Sequence, residues 1–193
     1  MLKFALVLIG LCIAVGVVFL LRTRATVPPS SPEKATDKAS APVYSALRAR
    51  ALTGSRTEFG LDAASPDGPA WGVLMETGFP EGSYTLVSML DGSARLYLSG
   101  GGGVVGSSAH ESIRDAATEF IRLAGQYQSS MTPTKTFPLP AEGRTVFYVL
   151  TNSDVFTAEA DEEALGEERH ALSPLFHAGH EVITPLRLMT DME

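Results

Sequence analysis

WGVLMETG (71–78), SYTLVSML (83–90) and SARLYLS (93–99), followed by GGGGVVGSS (100–108) and ESIRDAATEFIRLAGQ (111–126), form the stretch that decides the fold. The first two runs are apolar almost throughout, which suits strands covered on both faces, and GFPEG joins them. Asp91-Gly92 predicts a type I′ hairpin turn between the second run and the third, a turn that needs positive φ at both central positions. The third run alternates Arg95 and Tyr97 with Leu96 and Leu98, so one of its faces is expected to meet solvent. The glycines then read as a hinge into a helix. Ser108 and Glu111 have capping-box spacing, and Ile113, Ala116, Ala117, Phe120, Ile121 and Ala124 recur along one stripe.

Toward the C-terminus, TPTKTFPLPAEG leads into the apolar run TVFYVLT (145–151), and Asn152-Ser153-Asp154 turns it into a second hairpin ending near Ala160. Asp161 to Glu168 suggests one or two acidic helical turns. Ser173-Pro174 opens a final helix whose stripe holds Leu175, Phe176, Val182, Ile183 and Leu186, with Pro185 predicted to kink or end it. Upstream, YSALRARAL (44–52) reads as a short helix and 54–70 as a loop. The order is helix, three strands, helix, two strands, helix. Short connections make neighbours antiparallel, which predicts an α+β domain over 43–193 with one antiparallel sheet of about five strands, a three-strand meander plus a hairpin, and helices packed on it.

FALVLIGLCIAVGVVFLL (4–21) is an uncharged run of 18 residues, close to the length that spans a hydrocarbon core about 30 Å thick. It ends in Leu-Leu-Arg without a small-x-small site, which favours an uncleaved anchor over a secretory signal. Residues 1–24 are therefore expected to be a transmembrane anchor in the lipid bilayer. The tract ATVPPSSPEKATDKASAP (25–42) is expected to be a disordered linker, because it offers little apolar surface to offset ordering. Arg22, Arg24, Lys34 and Lys38 outnumber Lys3, which leans the domain toward the cytoplasmic side.

All 22 acidic residues follow Pro29, where 12 of the 15 basic residues also lie, so this part of the chain carries −10. A field of that sign argues against a nucleic-acid partner. The single Cys12 lies in the apolar run, which leaves no disulfide within the chain and no thiol nucleophile in the domain.

Two patterns carry candidate chemistry. Gly101-x-Gly103-x-x-Gly106 follows a strand and precedes a helix, and with Ser107, Ser108 and His110 it offers amides and side chains that could cradle an anion. As a dinucleotide fingerprint it is incomplete, because an antiparallel hairpin precedes it and Gln126 stands where an acid should hold a ribose. His177-Ala-Gly-His180-Glu181 sets two histidines at i and i+3, which face similar directions on a helix and could hold a metal if a third ligand such as Glu167 or His170 joined them. Zinc-protease motifs need a different spacing. The acidic run from Glu159 to Glu168 lacks calcium-loop spacing and reads as a solvated face.

In element order alone the domain resembles profilin-type and roadblock/longin-type domains, with three strands before the central helix in place of two. That resemblance implies an interaction platform, in some members one for small GTPases. The expectation is a membrane-anchored module that binds another protein, with no cofactor and no catalysis. The alternative is a small-ligand or metal sensor, or a cryptic enzyme, built on the glycine segment or the histidine pair.

Overall fold

Nothing from Ala70 to Gly78 is exposed, and a strand buried on both faces belongs in the middle of a sheet. The computed structural model, which describes residues 33–61, 70–106 and 108–190, puts it there. Among the described residues the strands are β1 (Ala70–Phe79), β2 (Gly82–Met89), β3 (Ala94–Leu98), β4 (Gly103–Gly106), β5 (Thr132–Thr134), β6 (Arg144–Thr151) and β7 (Val155–Asp161). They form one sheet in the order β4-β3-β2-β1-β6-β7-β5, every neighbouring pair antiparallel. The helices are α1 (Glu33–Thr53), α2 (Glu111–Tyr127), α3 (Glu162–Gly166) and α4 (Ser173–Thr190). The fold is α+β with a single antiparallel sheet, and it holds seven strands where five were expected.

Both additional strands lie in segments read as connections. Gly101 and Gly102 adopt φ of 110° and 83°, Leu98 N–H donates to Gly102 O at 3.2 Å, and Gly101 N–H donates to Leu98 O at 3.0 Å. The glycines therefore reverse the chain, and Val104-Val105 returns along β3 as β4. β5 pairs with β7 inside the proline-spaced connection. The Asp91-Gly92 turn also differs from expectation. Gly92 is left-handed at φ 78° whereas Asp91 is not. The Asp91 carboxylate accepts from Ser93 N–H at 2.9 Å, and Met89 O accepts from Gly92 N–H at 2.9 Å, which makes a longer loop closed by one left-handed glycine.

Three helix boundaries move. α1 begins at Glu33 and passes through Pro42, so the tract read as linker is helical from Glu33 on; Glu, Lys and Ala are good helix formers even where little surface is buried. His110 precedes α2 without a side-chain capping bond, so the Ser108–Glu111 box does not form. Pro185 lies inside α4, which continues to Thr190, with Val182, Ile183 and Leu186 packed on either side of it. The residues of the expected membrane anchor lie outside the described residues. No helix among the described residues is long and apolar enough to cross a membrane.

Alternation along β1, interrupted by a register shift between Ala70 and Gly72, divides its side chains between two cores. Val73 and Met75 face α2 and α4, joining Ile113, Phe120, Val182 and Leu186. Gly179 allows α4 to lie close, since a Cβ there would stand 2.6 Å from Met75 Sδ. Trp71 and Leu74 face α1 with Tyr44, Ala51 and Leu52. Glu76 shares that second face and is fully buried. Arg48 of α1 meets it in a two-pronged pair, Nε to Oε1 and Nη2 to Oε2 at 2.7 Å each, while Thr85 Oγ1 donates to Oε1 at 2.9 Å. Arg48 also donates to the carbonyls of Phe137 (3.0 Å) and Pro138 (3.2 Å), and Tyr44 OH bridges Thr85 and Ser83.

Removing one partner of a buried pair leaves an uncompensated charge, typically at a cost of about 3–5 kcal/mol. Arg48→Met is therefore expected to lower the urea midpoint sharply, and Arg48→Met with Glu76→Leu to recover much of that loss. An Arg48→Met midpoint equal to that of the native chain would show that α1 is not held by this pair.

Candidate functional site

Among the described residues six large hydrophobic side chains stand exposed: Val43, Leu47, Leu98, Val105, Leu139 and Leu188. Val43, Leu47 and Leu98 line one hollow beside the Gly101-Gly102 turn, and Val105 projects from the adjacent β4. Val105 is 64% exposed and Val43 59%.

On the opposite face of the same strands runs a groove of about 420 Å³, floored by Tyr84, Leu96, Leu98 and Val104 and walled by His180, Ile183 and Arg187 of α4. That size lies within the usual range for ligand sites, and a mostly apolar lining with a few convergent polar groups is their usual chemistry. The polar groups are three. Tyr84 OH approaches His180 Nε2 at 3.5 Å. Burial pushes the Tyr84 hydroxyl up to about 12, so it stays protonated. Burial, assisted by His177 and opposed by Glu181, holds His180 below the ordinary histidine value. Arg187 forms no ion pair among the described residues and supplies the positive charge.

His177 and His180 both flank Phe176, with ring centroids 5.7 and 4.4 Å away. Only His180 lines the groove, and His177 Nε2 is buried without a hydrogen-bond partner among the described residues. No group of three or more His, Cys, Asp or Glu side chains that could hold a metal occurs among the described residues. His110 precedes α2, Ser108 lies in the turn before it, and Ser107 lies outside the described residues.

Each glycine of the G-x-G-x-x-G pattern has a steric role. Gly101 supplies a positive φ. A Cβ at Gly103 would stand 2.5 Å from Leu96 O, and one at Gly106 would stand 2.4 Å from Leu186 Cδ2 and 2.9 Å from Ile113 Cδ1. They fit β4 between β3 and the helices, in an antiparallel hairpin and not in the strand-to-helix crossover that cradles a dinucleotide. Sequence reasoning passed over Tyr84, Leu98, Val105 and Arg187. The one available signal was the aliphatic pair Val104-Val105 between glycines, too short a run to read as a strand.

No protein-family model matches the chain, and no curated protein and no solved structure matches it. Arguments about function therefore rest on the geometry.

Two outcomes follow. Gly106→Ala is expected to cost about 1–3 kcal/mol by overpacking against Leu186 and Ile113, read as a lower urea midpoint with no ligand present; an unchanged midpoint would return the glycines to a purely functional reading. Because the folded chain holds His180 below its unfolded value, the unfolded chain takes up that proton first as pH falls. The stability it contributes is present above about pH 6.5 and is lost below it. The fall in urea midpoint between about pH 7.5 and 5.5 is expected to be smaller in His180→Gln than in the native chain, and equal falls would remove the assignment.

Proposed function

We propose that this chain is a single-pass membrane-anchored protein whose acidic α+β domain is a protein-interaction module without chemistry of its own. The observation that carries the reading is the hollow shared by the exposed side chains of Val43, Leu47 and Leu98 at one end of the sheet. Contiguous apolar surface on an otherwise charged domain is the usual mark of a partner site. The uncharged run 4–21 supports the anchor. The lean of the basic residues favours a cytoplasmic domain.

Both parts are open to test. The full chain should stay with membranes through alkaline carbonate extraction, and removal of residues 1–24 should release it; release of the full chain would sink the anchor. A photo-crosslinking residue at Leu47 should trap one defined protein in native membranes, whereas the same residue at Arg122 on the exposed face of α2 should not. Equal labelling at both positions, or none at either, would sink the interaction module.

A further inference from the structure

The two edges of the sheet are treated differently. At one end β5 is three residues long, contains Pro133 and is followed by Lys135. A proline cannot donate to a further strand and a lysine disfavours one, so β5 resists pairing over the Val155–Thr157 part of β7 that it covers. At the other end β4 carries no such device. The Leu98–Gly102 bond and the β3–β4 register, Leu96 with Val104 and Ala94 with Gly106, turn the peptide groups of Val104 and Gly106 toward β3. In an antiparallel ladder the alternate residues point the other way, so the N–H and C=O groups of Gly103 and Val105 face the open edge.

The groove lies under that edge. A residue paired beside Val104 projects its side chain to the same face as Val104, over the hollow floored by Leu96, Leu98 and Tyr84. Arg187 stands on the wall of that hollow, a cation without an ion pair among the described residues, on a part of the chain with net charge −10. His180 is held toward its neutral form and Tyr84 keeps its proton, so the wall presents one full positive charge and a hydroxyl donor. An apolar side chain and a carboxylate, carried on an extended backbone, complement these three features together.

Resting on the interaction reading above, we infer that the β4 edge and the Tyr84–Arg187 groove bind an extended peptide that adds as an eighth strand, seats an apolar side chain over Leu96 and Val104, and sets a carboxylate against Arg187. Main-chain bonds to Gly103 and Val105 supply affinity, and the groove supplies selectivity.

The probe is a fluorescent peptide of about six residues, an ordinary strand length, alternating threonine and valine and ending in a free carboxylate, titrated against the full chain in lipid nanodiscs. The expected result is saturable binding that weakens roughly tenfold for the C-terminal amide and for Arg187→Gln, the loss of one charge-assisted contact. Val105→Pro removes the outward N–H while sparing the bonds to β3, and should abolish binding with an unchanged melting temperature. Equal affinity for acid and amide, or binding that survives Val105→Pro, overturns the inference. So does binding of hexanoate without the peptide, which would make the groove a small-molecule site, or a dimer that Val105→Pro dissolves, which would give the edge to a second copy. If crosslinking from Leu47 persists in Val105→Pro and Arg187→Gln, the interaction module stands and only this assignment falls; if it never occurs, the broader reading falls with it.

Discussion

A fully buried carboxylate in the central strand is the constraint on which the rest of the structure depends. Glu76 lies on β1, the strand every other part of the sheet is built around, and it cannot remain charged in a core without a partner. Arg48 supplies that partner from α1, and with Thr85 it gives the carboxylate three hydrogen bonds. The same guanidinium holds the carbonyls of Phe137 and Pro138 and stands 6.0 Å from the ring centre of Tyr148. One ion pair thereby ties a helix, two strands and the connection before β6. Without α1, the second face of the sheet would lose both its cover and its counter-charge.

The first face is organised by shape instead of charge. Gly179 brings α4 against Met75, and Gly106 lets the end of β4 slide beneath Leu186 and Ile113. Close approach at these two glycines fixes where α4 sits, and α4 carries one wall of the groove. Core packing and surface chemistry are therefore coupled: the helix that carries His180 and Arg187 is seated by close approach to Met75 and to the end of β4.

Much of this was legible in the residues. The burial of β1 and β2, the stripe on α2 and the β6–β7 hairpin follow from apolar runs and turn residues that act locally. Glu76 gave no warning, because a single acid in an apolar strand declares its partner only once α1 is docked 28 residues away in sequence. β4 and β5 were hidden for another reason. At four and three residues they are too short to show a period, and their pairing is set by neighbours already in place. The histidine pair drew attention as a possible ligand set; both rings flank Phe176, but only His180 lines the groove. Arg187, the residue that gives the groove its charge, looked in sequence like any helix-terminal arginine.

The unequal edges set a limit on assembly. A sheet open at both ends can add strands without end, which is the geometry of fibres. Here one end carries Pro133, and among the described residues a strand arriving at β4 uses the edge without such a block. A second copy arriving there would join edge to edge and consume both open strands, and the product would have proline-blocked ends on each side. Edge-to-edge pairing of two copies would therefore stop at a pair, because the far end of each carries Pro133.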